Sequence, residues 1–379
     1  MTEKTSRAKS LFKTLSGTAL RAGSDALRRQ FGDDKVDAFS SSAAEHLVQG
    51  LDELKGAAMK FGQMMSLMDE KTLPPGWKRA LSLLQSKATP KPWSEIEVVF
   101  QKELGDKVSL FASIEPEAVR AASIGQVHRG VLLDGRNVAV KIRYPGLDES
   151  LAEDVENLRA FLKKTKFVIK GDFDSILKEM ERVFHREIDF IKEAQSYREY
   201  AKLLQPWSDK FAIPDVVDEC SSHGVLTTSW LEGEDFGIWM EKSRGHLPTE
   251  AIELERDRLG ESFLLLLFVE FFVFRKVQSD PNPSNFVVCP DGRLGLLDFG
   301  AVTEFSSELI ENYRSLMTAA LQGANADLIA ISQRMGFLTE DASDDARKSF
   351  LRILALAAKP LSMSAYDWGS EKLSEAVRE

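Results

Sequence analysis

Apolar positions Leu47, Leu51, Leu54, Ala58, Phe61, Met65 and Met68 recur in alternating steps of four and three, the spacing of one face of an amphipathic helix over residues 43–68. That helix is expected to end before Leu-Pro-Pro-Gly-Trp, and the Pro-containing stretch 87–93 reads as a linker. A helix is predicted from about Ser94, with Glu97 three residues after a Ser N-cap. The pattern then changes period: residues 122–144 give two strands around the turn Asp134-Gly135, a hairpin that carries Lys141. Helical sequence follows from about Asp174 to Leu204, and residues 224–236 read as a strand leaving through a Gly-containing turn. A helix over 255–278 comes next. Its apolar run, 263–274, is broken by Glu270 and is shorter than the roughly 20 residues that span a bilayer, so a buried helix is expected. The short runs 286–288 and 294–297 flank Asp291-Gly292 as a second hairpin, and the chain reads as helical after Gly300.

Composition narrows the picture. At 379 residues with 43% hydrophobic and 28% charged content, the chain can bury a full core and has room for one large or two ordinary domains. Cys220 and Cys289 lie far apart without metal-ligand spacing, which argues against a disulfide framework or a zinc site and fits a reducing compartment. Residues 1–30 carry a net +5, leaving −15 on the remainder. This basic leader has three readings: a segment lying on an anionic membrane surface, an organelle transit peptide, or a solvated helix. The acidic remainder argues against nucleic-acid binding. The first 20 residues lack the apolar stretch of a cleavable signal peptide, so a cytoplasmic or mitochondrial-matrix location, peripheral to a membrane and not secreted, is expected.

The candidate chemistry begins with Ser-Asp-Pro-Asn-Pro-Ser-Asn at 279–285 and Leu-Leu-Asp-Phe-Gly at 296–300. Asp280 and Asn285 stand five residues apart, and the intervening hairpin would return Asp298 beside Asn285. Two oxygen ligands at one point suit Mg²⁺, which completes its shell with water and phosphate, so the arrangement implies a nucleotide. The spacing resembles the protein-kinase catalytic loop followed by Asp-Phe-Gly, and Val-Ala-Val-Lys at 138–141 resembles the kinase strand whose lysine reaches the phosphates. Aligned on Gly125-Gln126-Val127, the first kinase glycines fall on Arg120 and Ala122. The phosphate loop becomes Ala121-Ala122-Ser123 with Gly125 kept, stiffer than its glycine-rich counterpart. Glu193 is a candidate partner for Lys141, and backbone groups from Ser229 to Leu231 stand where a kinase contacts adenine. Gln278-Ser279 replaces the usual His-Arg, and no Ala-Pro-Glu follows Asp298, which leaves no room for a long activation loop.

The ordered set Lys60-x-Gly62-Gln63, Ala-Ala-Ser-Ile-Gly-Gln-Val-His at 121–128, Val-Ala-Val-Lys, Glu187-x-Asp189 with Glu193, Asp-Pro-Asn-Pro-Ser-Asn and Leu-Leu-Asp-Phe-Gly resembles the UbiB (AarF-domain) atypical kinase-like family, in its ubiquinone-linked branch. The resemblance implies an α+β, two-lobed kinase-like fold: a basic leader at 1–42, a helical extension at 43–92, an N-lobe at 93–228 and a helical C-lobe at 229–379. It implies ATP or ADP with Mg²⁺ as cofactors. Lys141 would bind phosphates, Glu193 would pair with it, Asp280 would take the catalytic-base position, and Asn285 and Asp298 would bind the metal. Lys60 and Gln63 would reach into the site as a gate against Glu187 and Asp189, on ground where a peptide substrate would dock. The implied function is an ATPase or small-molecule kinase supporting ubiquinone (prenyl quinone) biosynthesis. Its partners would be anionic lipid or a quinone precursor and other ubiquinone-biosynthesis proteins. The alternative is a nucleotide-gated module that binds lipid or partners without phosphoryl transfer.

Overall fold

The computed structural model describes residues 90–121, 124–147, 156, 178, 182, 188–245, 249–280 and 282–368. The calls on Lys60, Gln63, Ala122, Ser123 and Glu187, on the leader and on most of the extension lie outside the described residues. By its internal contacts the chain forms two compact units, the first containing residues 90–245 with 280–301 and the second 249–279 with 302–368. The border expected between residues 228 and 229 falls inside the first unit.

The first described helix of the first unit is α1, Trp93–Leu104. Ser94 is not its N-cap: Pro92 holds that position with no side-chain cap, and Glu97 bonds to Gln101 instead. A fixed φ near −65° makes proline a ready helix starter, so no serine hydroxyl is required. Strands β1 (Phe111–Ala121), β2 (Gly125–Leu132), β3 (Asn137–Arg143) and β5 (Val225–Ser229) form an antiparallel sheet in the order β1-β2-β3-β5. Between β2 and β3 the turn contains Gly135 at φ 90°, as its Asp-Gly pair predicts. Side chains alternate across a strand. Val138, Val140 and Ile142 therefore pack beneath Ile96, Phe100 and Leu104 of α1, and Ala139 and Lys141 face the other way.

Two polar residues of the loop motif belong to this core. Gln126 and His128 are fully buried. The Gln126 side chain accepts from Lys91 N at 2.8 Å and donates to Lys91 O at 3.1 Å and to His128 Nε2 at 2.9 Å. With Nε2 accepting, Nδ1 carries the proton and donates to Glu115 O at 2.8 Å. Burial without partners would cost each group roughly 1–3 kcal/mol, so this chain of bonds explains why polar side chains sit there.

Helix α2, Phe190–Leu203, lies in the span expected to be helical. A second sheet, in the order β4-β9-β8-β6, joins β4 (Phe211–Ala212), β9 (Leu294–Leu296), β8 (Phe286–Val288) and β6 (Glu234–Asp235), and helix α3 covers Phe236–Gly245. The hairpin predicted at Asp291-Gly292 is the β8–β9 pair, Phe286 opposite Leu296.

In the second unit α4 runs over Glu250–Phe268, with Thr249 accepting from Ile252 N as its cap. The helix expected over 255–278 stops there. A π-helical turn at Val269–Phe274 and Arg275 at φ 58° lead into β7, Lys276–Gln278. Glu270, the residue that broke the apolar run, is buried and accepts from Gln278 N at 3.1 Å, so its charge is tied to the strand that ends the helix. The run is not wholly buried either: Leu267 and Val273 are exposed. Strand β10, Val302–Glu304, pairs with β7 before helices α5 (Ser307–Gln322), α6 (Asn325–Arg334) and α7 (Asp344–Ala358). The chain is thus not helical immediately after Gly300. No helix among the described residues is long and apolar enough to cross a membrane.

Candidate active site

Lys141 projects from the non-core face of β3, and the residue that meets it comes from α2. Along α2 the buried residues Phe190, Glu193, Ala194, Tyr197 and Tyr200 share one face at helical spacing. Glu193 is the charged member of that face, only 2% exposed. Its two carboxylate oxygens lie 2.7 and 2.9 Å from Lys141 Nζ. The same ammonium donates to Asp298 Oδ2 at 3.1 Å. Burial by itself would push the lysine down, but the charges of Asp298 and Glu193 outweigh it and hold Lys141 above the ordinary lysine range.

Asp298 is positioned from both sides. Leu297 N donates to Asn285 O at 2.9 Å, extending the β8–β9 pairing to the residue before Asp298. Gly300 N donates to Asp298 Oδ1 at 2.9 Å. Phe299 is buried with its ring 4.8 Å from Tyr197 and 4.6 Å from Tyr200, and the Tyr197 hydroxyl donates to Leu297 O. Burial, followed by the negative charges of Glu193 and Asp298, pushes the Tyr197 phenol well above its usual range, so it stays a donor. One face of α2 therefore supplies the partner of Lys141 and the clamp on Asp298.

These groups front a cavity of about 440 Å³, within the size range of small-molecule sites. Ala121, Lys141, Ser229, Leu231, Asp280, Asn285 and Asp298 line it, bringing together most of the described residues expected in the site. Three expected residues stand elsewhere. Glu193 is behind Lys141. Gly125 is buried in β2, where a Cβ would meet Ile142 O at 2.4 Å, so its missing side chain serves close strand approach. Asp189 caps α2 by accepting from Lys192 N and also pairs with Lys192 Nζ at 3.0 Å. At the expected adenine edge, Ser229 N donates to Asp215 O at 2.8 Å and Trp230 N to Asn137 O at 2.9 Å. Of the three amides only that of Leu231 lacks a partner among the described residues.

The donor set fits a hard cation. Asn285 Nδ2 donates to Asp280 O at 3.2 Å, which leaves its amide oxygen as an acceptor, and Asn285 and Asp298 line the same cavity. Mg²⁺ takes one or two protein oxygens and fills its octahedron with water and phosphate, so the two oxygen donors of Asn285 and Asp298 would meet its demand for protein ligands.

Sequence reading missed Arg120 and Asp235, which also line the cavity and pair at 2.6 Å. An ion pair 115 residues apart leaves no local signal. It also missed Tyr197, whose aromatic character on a helix face reads as core.

A sheet lysine bound to a helix glutamate and to the aspartate of Asp-Phe-Gly defines a protein-kinase-like chain. The ABC1 atypical kinase-like domain matches residues 83–332, and the chain belongs to that family. The chain is 34% identical to the rat protein named atypical kinase COQ8B, mitochondrial, over 88% of this chain and 62% of that protein. It is 33% identical to atypical kinase coq-8, mitochondrial, of Caenorhabditis elegans, over 79% of this chain and 39% of that one. It thus spans less than two thirds of these relatives' length. Among solved structures, that of the Mycobacterium tuberculosis Rv3197–erythromycin complex is similar at 28% identity and a TM-score of 0.63, covering 90% of this chain and 85% of that chain. The α+β kinase-like fold and the UbiB resemblance expected from sequence both hold.

Proposed function

We propose that the cavity binds ATP or ADP with Mg²⁺ and that the chain turns ATP over, as an ATPase or a small-molecule kinase, in support of ubiquinone (prenyl quinone) biosynthesis. The observation that carries this is Lys141 Nζ held between Glu193 and Asp298 on a cavity that also presents Asp280 and Asn285. Lys141, oriented by Glu193, would bind the α and β phosphates. Asn285 and Asp298 would hold Mg²⁺, which when bound neutralises charge developing on the transferred phosphoryl group. Asp280 would orient the attacking oxygen or accept its proton. Leu231 would contact adenine, and Ala121, Ala122 and Ser123 would cover the phosphates. Lys60 and Gln63, with Glu187 and Asp189, would gate the site against a protein substrate. The quinone role is supported by the UbiB resemblance and by relatives that carry the COQ8 name and are described as mitochondrial. A matrix-side, peripheral location follows from the same support, with the basic leader as the lipid contact.

The test is Asp280→Asn. ATP turnover is expected to be lost while ADP still binds, because the change removes a base or orienting group and leaves the phosphate and metal ligands. Unchanged turnover would overturn the mechanism.

A further inference from the structure

The cavity's two cations are in different situations. In the free chain Lys141 directs its ammonium at Glu193 and Asp298 through three contacts of 2.7, 2.9 and 3.1 Å, which engage the three donors a lysine has, so it reaches a phosphate only by giving up one of them, the Asp298 contact being the longest. Arg120 stands at the end of β1, where the phosphate loop begins. It carries five donors, and among the described residues it spends one side of its guanidinium on Asp235 at 2.6 Å. It lines the same cavity as Tyr197 and Asp298. Its side chain is 28% exposed and that of Asp235 24%, so the pair is accessible from the cavity and not sealed in the core.

Asp235 has a second task. Its Oδ1 accepts from Gly237 N at 2.8 Å and from Ile238 N at 3.2 Å, capping the first turn of α3 while Oδ2 holds Arg120. The cap does not depend on the arginine, so the carboxylate can release Arg120 without unwinding α3. The lining carries three carboxylates, Asp235, Asp280 and Asp298, against the two cations. An anionic ligand entering such a lining gains most from the cation that still has donors to give.

We infer that Arg120 is a nucleotide-contacting residue that exchanges Asp235 for the phosphates of the bound nucleotide. In the free chain the ion pair ties the start of the phosphate loop to the cap of α3. On binding, the guanidinium turns to a phosphate, supplying the charge that a glycine-rich loop would deliver through backbone amides. This inference rests on the nucleotide reading above and adds the residue that discriminates phosphorylated from unphosphorylated ligands.

The experiment is calorimetric titration of the full chain with ADP and with adenosine, both in Mg²⁺, for wild type, Arg120→Gln, Arg120→Lys and Asp235→Asn. Thermal unfolding of each variant accompanies it. The preference for ADP over adenosine is expected to fall about tenfold in Arg120→Gln, the loss of one charge-assisted bond, with adenosine affinity kept or improved. Arg120→Lys is expected to restore part of the preference. Asp235→Asn, whose amide oxygen keeps the α3 cap, is expected to leave the preference intact or raise it. An ADP preference unchanged in Arg120→Gln, in a wild type that does bind ADP, would overturn the exchange while leaving the nucleotide reading standing. A folded wild type that binds neither ligand would overturn both.

Discussion

Lys141 and Glu193 meet at 2.7 Å across 52 residues of sequence, and both are nearly sealed from water, at 13% and 1% side-chain exposure. A buried ion pair is a weak source of stability in itself, because desolving two charges offsets most of their attraction. Its value here is positional: it fixes the ammonium beside Asp298 at the cavity wall. The pair therefore separates what holds the fold from what serves the site.

Lys141→Met should cost about 3–5 kcal/mol of stability, because it leaves the Glu193 carboxylate buried with its principal cation gone. Adding Glu193→Gln should return part of that loss, since the uncompensated charge disappears. Neither variant should bind ADP as the wild type does. Urea unfolding of the two single variants and the double variant checks this; a double variant no more stable than Lys141→Met would contradict the uncompensated charge as the cause.

Gly125→Ala should destabilise the first unit by about 1–3 kcal/mol, because the new methyl would sit 2.4 Å from the carbonyl of Ile142 and force β2 and β3 apart beside Lys141. Unfolding and ADP binding measured together decide its role. A lower unfolding temperature with weaker binding supports the strand-spacing role. Weakened binding at unchanged stability would instead return Gly125 to the phosphate contact read from sequence.

His128 should make stability sensitive to mild acid. Burial holds its imidazole below the ordinary histidine range, although its bond to Glu115 O and the charge of Glu117 pull the other way. The unfolded chain therefore takes up this proton first. The group's contribution is fully present above the ordinary value of about 6.5 and declines as pH falls from there toward the folded value. The stability difference between wild type and His128→Gln, measured in urea, should accordingly be larger at pH 7.5 than at pH 5.5. A difference that does not change with pH would show that His128 charges as readily folded as unfolded.

Much of the site could be read from sequence because its residues recur at fixed spacings around strong turn signals. Asp291-Gly292, with Gly292 at φ 87°, predicts the hairpin that carries Asp298 back along Asn285. Lys141 follows similarly from the hairpin at Asp134-Gly135. The end of α4 was not legible. Glu270 interrupts the apolar run 263–274 without marking a helix end, and the stop depends on Arg275 adopting φ 58° and on Glu270 accepting from Gln278 N. Strand β10 has three residues, too few for alternation to register. Gln126 and His128 belong to a motif that reads as phosphate loop, yet their side chains bond to Lys91, Glu115 and each other. Only the partners distinguish a buried polar peg from a ligand.

The most direct measurement is phosphate release from ATP and Mg²⁺ by the full chain, with and without anionic liposomes, comparing wild type with Asp298→Asn and following nucleotide binding in parallel. The account predicts release that requires Asp298 and rises with lipid. Absence of release in every condition, with nucleotide binding intact, would contradict it and assign the chain to nucleotide-gated binding without phosphoryl transfer.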